Sequence, residues 1–417
     1  MSRMEKKAKK KLKIAIFHCG FIYTGGGERI VLEEIEGLRK RGHEVDCFVP
    51  TYDPELSYPD IIKEYDIQTF LPQLPRFVPL RFAVQLLASC VLAPLLSWRF
   101  SKYDIFLGAN QPGAYMAWVI SKILQKPYFV YLSQPNRVLY PRDHEDWQNV
   151  KDYFILNKII NRMFKKIVVD LDKRSITGSE NLFINGSFVA KEIVEIYEPR
   201  KWKDCPGGAH LASKSILSTN RKKGRVKANS HTIKKPYILF TSRHEPWKKF
   251  DWAVEVVSMV VKKYPDVRLV IPGAETTITP RLRKLARRLG IANKVIITGA
   301  IMQKSLWRLY RNAYLYIFTS PKEDLGIVVQ EAQAAGAPVV AWRAGGPTVT
   351  VADKKTGFLV ESYSLKAMAD RIIYLLENSK ERDKMGRAAY QHVKRKFSWD
   401  IHVDILEREF KRVINNT

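Results

Sequence analysis

Short apolar runs, each followed by a stretch long enough for a helix, recur along this chain. In the first half of the chain they lie at residues 13–17, 44–49, 105–107, 128–132 and 167–169. Short buried strands that alternate with helices form parallel sheets covered on both faces, because each crossover connection is itself helical. We therefore predict an α/β domain over residues 13–198, preceded by a basic tail at 1–12.

The same alternation restarts after a polar, basic stretch at residues 199–235, which we interpret as a linker. The later apolar runs lie at residues 237–241, 268–273, 295–299, 314–320 and 338–342. A chain of 417 residues has room for two domains of the usual ~150 residues. We predict two Rossmann-like, doubly wound parallel sheets, the second over 236–396. Ligands bind such sheets at the carboxyl ends of the strands, so a cleft between the two domains is the expected site.

Basic residues are in large excess over acidic residues. The chain has 70 Lys and Arg against 42 Asp and Glu, a formal net charge of +28, and an anionic partner is therefore expected, either a nucleic acid or an acidic membrane surface. Residues 1–13 carry +6 and residues 199–235 carry +10 of this charge. The rest is only moderately basic, so we expect no nucleic-acid partner. A basic nucleic-acid-binding protein remains the non-enzymatic alternative.

Cysteine usage and the amino-terminal sequence bear on the compartment. The four cysteines lie far apart without a C-x-x-C spacing, which argues against structural zinc and against a disulfide framework. The apolar run near residue 13 is too short for a signal peptide. We expect a protein of the cytoplasmic side. A D-x-D sequence at Asp170–Asp172 lies beside Lys173 and Arg174 without a further acidic ligand, so we predict no metal.

One apolar stretch allows three interpretations. Residues 82–98 contain no charged side chain and are flanked by Arg81 and Arg99. Seventeen residues are at the lower limit for crossing a membrane. The stretch is either a buried core helix, a helix lying in the membrane interface, or a span, and Pro94 and Gln85 argue against the span.

The segment at residues 321–346 carries the strongest chemical signal. Glu323 and Glu331 form an E-x7-E pair, with Gly326 between them at the start of a helical pattern. A glycine there permits close approach of a ligand, and the free amides of Gly326, Ile327 and Val328 at a helix start can bind phosphate. Glu331, two turns along, can accept hydrogen bonds from a ribose or sugar diol. The alternative is two surface glutamates on an ordinary helix.

Two further turns carry possible phosphate-binding residues. Arg243 and Lys248 lie five residues apart after the first strand of the second domain, where they can neutralise a diphosphate leaving group. In the first domain, Gly25 and Gly26 belong to a glycine turn between strand and helix, which is a weak phosphate-loop signal by itself. The alternatives are solvated cations and a merely tight turn.

Taken together, these motifs resemble those of retaining glycosyltransferases of family 4, which have the GT-B fold. The resemblance covers nearly all of residues 13–412. The matching motifs, in family order, are GGGER at 25–29, NGSFVA at 185–190, CPGGAH at 205–210, Arg243 with Lys248, the E-x7-E pair, TGFLV at 356–360 and FSWD at 397–400. It implies that residues 397–417 form a helix that crosses back to the first domain.

The resemblance also implies roles for the site residues. Arg243 and Lys248 would stabilise the diphosphate, Glu323 would hold donor hydroxyls, and Glu331 would hold the ribose. Gly25 and Gly26 would make room for diphosphate and acceptor. The donor would be a nucleotide sugar bound without a metal or other cofactor. The acceptor would attack the face that the leaving group departs from, with a phosphate oxygen taking its proton.

A finer resemblance concerns the acceptor. YDPELSYPD at 52–60 and LPRF at 74–77 are similar to mannosyltransferases that extend dolichyl-diphosphate oligosaccharides, and to related polysaccharide enzymes. This implies GDP-mannose as donor and a polyprenyl-linked glycan as acceptor, at the cytoplasmic face of a membrane. The rival enzyme is a UDP-sugar transferase for another glycolipid or polysaccharide.

Two positions depart from the family pattern. YLSQPNR at 131–137 places Ser133, instead of a histidine, near the expected acceptor site beside Arg137, and Val349 replaces a carboxylate after the GGP sequence. These departures keep a catalytically inactive scaffold as a third alternative.

Overall fold

The structure is a computed structural model that describes residues 11–142, 164–211, 225–228 and 231–416. Within these residues the chain forms two large parallel sheets, one of seven strands in the first domain and one of six strands in the second, and a short parallel pair of β2 with β4. Helices lie along both. The predicted fold class, two Rossmann-like domains, is confirmed.

The first domain holds nine strands and five helices in its described part, and the ninth strand lies within the basic stretch at 199–235. The strands are β1 (Lys13–His18), β2 (Gly20–Phe21), β3 (Glu44–Val49), β4 (Thr51–Tyr52), β5 (Ile67–Thr69), β6 (Ile105–Ala109), β7 (Tyr128–Leu132), β8 (Leu182–Ile184) and β9 (Trp202–Asp204). The helices are α1 (Gly26–Lys40), α2 (Arg81–Leu92), α3 (Gly113–Leu124), α4 (Lys165–Thr177) and α5 (Ser187–Tyr197).

The second half begins with a small antiparallel pair, β10 (Arg225–Ala228) and β11 (His231–Lys234). The strands of the second sheet are β12 (Tyr237–Leu239), β13 (Arg268–Pro272), β14 (Val295–Gly299), β15 (Leu315–Phe318), β16 (Val339–Trp342) and β17 (Gly357–Val360). The helices are α6 (Phe250–Lys263), α7 (Thr279–Arg288), α8 (Gln303–Asn312), α9 (Ile327–Ala334), α10 (Pro347–Thr350), α11 (Leu365–Glu377), α12 (Ser379–Lys396) and α13 (Trp399–Asn416).

Strand order places the carboxyl ends of particular strands at the cleft. The first sheet runs β5-β3-β1-β6-β7-β8-β9 and the second runs β14-β13-β12-β15-β16-β17. In each sheet the order reverses beside the first strand, which is the topological switch point of a doubly wound fold. Loops that follow β1 and β6 in one domain, and β12 and β15 in the other, therefore provide the candidate site.

The central strands of the first sheet are buried on both faces, as their unbroken apolar sequences predict. Along β1, Ile14 and Ile16 join one apolar core, whereas Ala15 and Phe17 join the core on the opposite face. Helix α13 also packs on the first of these cores, where the Phe410 ring lies 4.8 Å from that of Phe129. The carboxyl-terminal helix therefore returns from the second domain to the first.

One strand prediction is wrong. Residues 167–169 lie inside helix α4, not in a strand, and Ile167 is 60% exposed. The strand that pairs with β7 is β8, which begins at Leu182. The three β-branched residues favour a strand locally, but propensity is weak and packing decides the element. Residues 143–163 and 212–224, the latter within the predicted linker, lie outside the described residues.

The apolar stretch at residues 82–98 is not a core helix, so that interpretation is wrong. Helix α2 buries the polar side chains of Gln85 and Ser89, whereas three of its apolar side chains, Val84, Leu87 and Val91, are exposed. These three side chains, with the exposed side chains of Phe77 and Leu80 before the helix and of Leu95 and Trp98 after it, define the apolar stripe of α2. Among the described residues no helix has the length and apolar character needed to cross a membrane.

Candidate active site

The centre of the candidate site is an ion pair between two loops of the second domain. Lys248 lies in the turn between β12 and α6, and Glu323 lies in the loop between β15 and α9. The Lys248 Nζ atom is 2.5 Å from a Glu323 carboxylate oxygen, and each side chain is only about one fifth exposed. The two predicted residues are therefore brought together from positions 75 residues apart.

Two glycines hold the Glu323 loop in place. The Gly346 amide donates a hydrogen bond to the Glu323 carbonyl at 2.6 Å. A Cβ atom added to Gly346 would lie 2.4 Å from the Leu325 backbone, and one on Gly345 would lie 2.8 Å from the Glu323 carbonyl oxygen. Only glycine permits this close approach of two backbones. The GGP sequence thus holds the backbone of the Glu323 loop in place.

Helix α9 begins directly after this loop. Gly326 precedes its first residue with a φ of +80°, in the left-handed region that favours glycine. The first amides of a helix have no acceptor within the helix and can bind an anion. Ile327 packs against the core of the first domain and Val328 against that of the second, so this helix start lies where the domains meet.

Arg243 contacts the opposite domain. Its guanidinium lies over the ring of Tyr23, 5.0 Å from the ring centroid, and 3.6 Å from the Glu245 carboxylate. Tyr23 belongs to the turn between β2 and α1 of the first domain. This cation–π contact spans the cleft, and the Arg243 side chain is 39% exposed, so it is accessible to a ligand there.

Glu331 is held by a tyrosine inside the second domain. The Tyr310 hydroxyl donates a hydrogen bond to Glu331 at 2.8 Å. Burial raises the pKa of Glu331, although this hydrogen bond and the charge of Arg29 oppose the rise. Arg29 lies in α1 of the first domain and pairs with Glu33 at 2.6 Å. Glu331 therefore faces a cation that comes from across the cleft.

The glycine turn of the first domain faces the start of α9. A Cβ atom added to Gly26 would have the Ile327 side chain as its nearest neighbour, at 3.5 Å. The turn is fixed from the other side by Tyr58, whose hydroxyl donates to the Gly25 carbonyl at 2.9 Å and whose amide donates to Thr24. The YDPELSYPD sequence therefore has a structural role in holding this turn.

The two predicted acceptor residues have partners of their own. The Ser133 amide donates to the Asn110 side chain at 2.8 Å, at the carboxyl end of the first sheet. Arg137 is almost fully buried, where it pairs with Glu192 and approaches Asp324 of the second domain at 3.5 Å. Arg142 binds the same Asp324 at 2.5 Å. These arginines thus join the two domains beside Glu323.

Burial raises the pKa of Asp324 to about 6, although both arginines act to lower it. The Asp170–Asp172 pair, in contrast, does not converge on one point. Asp170 pairs with Arg174 at 2.8 Å and is half exposed, whereas Asp172 is buried, and the side chain of Asn136 donates to it.

Val349, which departs from the family pattern, packs with an apolar cluster. This cluster contains Ala209 of the linker, Ala334 of α9, and Val393 and Phe397 at the end of α12. An apolar side chain at position 349 therefore fits its surroundings.

Sequence reasoning missed several residues of the site. Tyr23, Tyr310 and Asp324 contact the predicted residues Arg243, Glu331 and Arg137, and Arg142 binds Asp324, yet none of the four belongs to a motif that marks it. Asp324 alone had a signal, since it lies beside Glu323. The site combines two cations, a helix start and two carboxylates at the cleft, which suits an anionic ligand that also carries hydroxyl groups.

Family comparison matches both domains. The profile of the Glycosyltransferase Family 4 family matches residues 24–193, and the profile of the Glycosyl transferases group 1 family matches residues 223–392. Among curated proteins, a D-inositol 3-phosphate glycosyltransferase of Acidothermus cellulolyticus is 32% identical over 239 residues, which are 55% of this chain and 52% of that protein. The corresponding protein of Streptomyces avermitilis is 36% identical over 170 residues, 39% of this chain and 36% of its own. The chain thus spans about half, or less, of these relatives.

Solved structures share the fold over nearly the whole chain. The complex of Anabaena Alr3699/HepE with UDP aligns with a TM-score of 0.69 at 18% identity, over 95% of this chain and 99% of that one. Sucrose-phosphate synthase (tll1590) from Thermosynechococcus elongatus aligns with a TM-score of 0.71 at 17% identity, over 98% and 100%. At such identities the likeness concerns the fold alone.

Proposed function

Because the chain carries a Glycosyltransferase Family 4 domain followed by a Glycosyl transferases group 1 domain in a GT-B fold, we propose that it transfers a hexose from a nucleotide diphosphate to an acceptor hydroxyl. The observation that carries this proposal is the convergence of Lys248, Glu323 and the start of α9 at the cleft. The anomeric configuration is retained.

In this proposal, stabilisation of the departing diphosphate accelerates the reaction. As the bond between the sugar and the phosphate oxygen breaks, negative charge grows on the diphosphate. Lys248 and Arg243 lie where they can neutralise that charge, and the amides of Ile327 and Val328 add hydrogen-bond donors. In this mechanism cationic side chains hold the diphosphate without a metal, and a phosphate oxygen accepts the proton of the attacking hydroxyl.

The two glutamates orient the donor. Glu323 accepts hydrogen bonds from the sugar hydroxyls, and its loop is held rigidly by Gly345 and Gly346. Glu331 accepts hydrogen bonds from the ribose. Closure of the two domains excludes water, which limits hydrolysis of the donor. Ser133 and Arg137 lie at the carboxyl end of the first sheet, on the side assigned to the acceptor.

The donor in this proposal is GDP-mannose and the acceptor is a polyprenyl-linked glycan, which makes the protein an α-mannosyltransferase. The resemblance of the sequences at 52–60 and 74–77 supports both choices. In the structure the first of these sequences braces the glycine turn through Tyr58, and Asp53 pairs with Arg81 of α2 at 3.1 Å. It thus links the glycine turn to the helix with the exposed apolar stripe.

The same proposal places the protein on the cytoplasmic face of an anionic membrane. The exposed apolar stripe of α2 can lie in the membrane interface, and the basic excess of the chain favours an anionic surface. A lipid-linked acceptor would then reach the cleft from the side of the first domain.

Donor screening with a membrane lipid extract tests the proposal. Purified protein is incubated with the extract and either GDP-mannose or a series of UDP-sugars. The molecular masses of the lipid products are then measured by mass spectrometry. We expect one added hexose with GDP-mannose, with retention verified by NMR of the new linkage. Loss of the product in Glu323→Ala excludes an inactive scaffold with a contaminating activity.

Other outcomes have distinct meanings. A product with a UDP-sugar alone favours the second candidate, a UDP-sugar transferase for another glycolipid or polysaccharide. The names of the curated relatives motivate one further arm, in which D-inositol 3-phosphate replaces the lipid extract. The absence of a product with every donor and acceptor overturns the proposal.

A further inference from the structure

Helix α7 of the second domain presents only cations to solvent along most of its length. Every residue that is exposed between positions 281 and 288 is an arginine or a lysine, namely Arg281, Arg283, Lys284, Arg287 and Arg288. On the other side of the helix, Leu282 and Ala286 are buried in the core of the domain. The apolar side of α7 is therefore already covered, and the exposed side has only charge to offer a partner.

These five cations form one compact surface, which we call the basic strip of α7. Successive residues of a helix are about 100° apart, so the five side chains fall within an arc of about 160°. The rise from Arg281 to Arg288 is about 10 Å along the helix axis. The strip is thus a short row of charges that point the same way and do not converge on one point.

Little negative charge balances the strip. Arg283 makes two hydrogen bonds to the Glu275 carboxylate, at 2.7 and 2.9 Å. The other four cations have no carboxylate partner among the residues that the structure describes. The sequence around them adds no acid, since residues 276–322 contain ten Lys or Arg and no Asp or Glu. A positive potential therefore builds up at this surface of the second domain.

The electrostatics of the helix itself do not favour this arrangement. The helix dipole stabilises cations in the last turn, which accounts for Arg287 and Arg288. It acts against a cation in the first turn, where Arg281 lies. Like charges three or four residues apart, as in Arg281 with Lys284 and Lys284 with Arg288, also repel each other. An anionic surface opposite the strip would relieve both effects.

We propose that the basic strip of α7 binds the anionic headgroups of a membrane, as a second contact beside the apolar stripe of α2. A row of cations about 10 Å long suits a surface that carries many phosphates better than one small anion. Polybasic segments bind such surfaces by charge alone, without inserting into the lipid.

A nucleic acid is the other polyanion that such a strip could bind. A membrane is favoured because the first domain exposes an apolar stripe, flanked by Arg81 and Arg99, which suits a lipid interface. The inference rests on the membrane location proposed above, but not on the identity of the donor.

The strip adjoins the turn that carries Arg243. His244 follows Arg243, and its Nδ1 atom lies 2.9 Å from the hydroxyl of Thr279, the first residue of α7. The His244 amide also donates to the Ala274 carbonyl, in the loop before α7, at 3.1 Å. A membrane contact through α7 would therefore hold the diphosphate-binding turn of the second domain near the surface that carries a lipid-linked acceptor.

Co-sedimentation with lipid vesicles tests this proposal without any sugar donor. The vesicles contain phosphatidylcholine with or without anionic phosphatidylglycerol. We expect Arg281→Ala with Lys284→Ala and Arg288→Ala to weaken binding to anionic vesicles at least about tenfold. The difference from the wild type should vanish on phosphatidylcholine alone, and also in about 1 M salt, where the Debye length is about 3 Å.

Two further variants separate the strip from the net charge of the chain. Lys380→Ala with Arg387→Ala and Lys394→Ala removes the same number of charges from exposed positions of α12, and should bind anionic vesicles almost as the wild type does. Arg281→Lys with Arg288→Lys keeps the charge of the strip and should also bind normally. Alanine favours helices, so the α7 variant should fold, which circular dichroism verifies.

Unchanged vesicle binding by the α7 alanine variant overturns the proposal, as does an equal loss in the α12 control. If that variant loses affinity for a DNA duplex but keeps its affinity for vesicles, the strip is a nucleic-acid contact and the proposal is wrong. An absence of sugar transfer would overturn the proposed function without changing these results, because vesicle binding is measured without a donor.

Discussion

Charged groups at the cleft are held in pairs by the protein itself. Lys248 pairs with Glu323, and Arg243 lies between Glu245 and the ring of Tyr23. Each partly buried cation thus has a carboxylate to offset its desolvation. A bound diphosphate would compete with those carboxylates for the two cations. At the scale of single residues the site is therefore preorganised by its own ion pairs.

Removal of the Lys248 charge should damage transfer far more than folding. We expect Lys248→Ala to lower kcat/KM about 10²- to 10³-fold, because one donor to the growing charge is lost. Steady-state kinetics with the donor found by screening measures this. Lys262→Ala is the control, since Lys262 is exposed on α6. Equal activity of both variants would contradict the assigned role of Lys248.

The glycine turn of the first domain offers a test that distinguishes a steric effect on substrate binding from an effect on protein stability. In Gly26→Ala the new methyl group meets no atom closer than 3.5 Å, so the melting temperature should stay close to that of the wild type. Transfer should fall, because the methyl group occupies space assigned to the substrates. In contrast, Gly346→Ala should lower the melting temperature, since its methyl group would meet the Leu325 backbone. Full transfer by Gly26→Ala would remove the turn from the binding site.

The sequences of two helices only partly indicate which surfaces these helices contact. Helix α2 presents apolar side chains to solvent, and helix α13 attaches to the first domain through charged residues as well as its apolar face. On α13, Glu407 pairs with Arg41 at 2.9 Å and with His43 at 3.1 Å. The orientation of each helix thus depends on the surface it packs against.

The apolar stripe of α2 should mediate membrane binding. Leu87→Glu together with Val91→Glu places two charges on the exposed stripe and should reduce co-sedimentation with anionic vesicles several-fold, because a charged side chain resists burial among lipids. The melting temperature should not change, as both positions are exposed. Ile123→Glu, at an exposed position of α3, serves as the control. Unchanged vesicle binding would exclude the stripe as the contact surface.

The contribution of Glu407 to the packing of α13 on the first domain should depend on pH. Burial acts to raise the pKa of Glu407, but hydrogen bonds from Lys411, Arg41 and His43 lower it to about 2. A lowered pKa stabilises the folded state above the usual value near 4.5, and this stabilisation is lost as the pH falls toward 2. Glu407→Gln should therefore cost about 1–2 kcal/mol at pH 7.

The measurement for Glu407 is urea unfolding at several pH values. The difference between wild type and Glu407→Gln should shrink as the pH falls from 4.5 toward 2. A difference that stays constant over that range would show that the ionised carboxylate contributes nothing.

At the scale of the whole molecule, the two domains are joined beside the site. Arg142 of the first domain binds Asp324 of the second, and its guanidinium also donates to the Lys322 carbonyl. Since Asp324 follows Glu323 directly, closure of the domains and placement of Glu323 depend on the same loop. Tyr23 and Arg243 form a second contact across the cleft.

Loss of the Arg142 contact should open the molecule. We expect Arg142→Ala to increase the radius of gyration in small-angle X-ray scattering at pH 7, because Asp324 loses its closest cation. Arg174→Ala is the control, since Arg174 pairs with Asp170 within α4. Identical scattering by Arg142→Ala and the wild type would exclude this pair as a determinant of closure.

The sequence by itself determined the alternation of strands and helices, the two-domain fold, and the motifs that name Arg243, Lys248, Glu323 and Glu331. These features depend on local pattern and turn chemistry, which act over a few residues. Backbone course and motif position can therefore be predicted before any packing is known. The strand at 128–132 and the helix that follows the first glycine turn, observed over Gly26–Lys40, are examples.

Only the tertiary structure decided which side of α2 faces outward, that residues 167–169 are helical, and which residues meet across the cleft. It also brought the Glu28 carboxylate to within 3.7 Å of the His18 ring, a pairing that no motif spacing in the sequence indicated. Such contacts join residues far apart in the chain or across a folded turn. They depend on how complete elements pack together, and no local pattern contains that information.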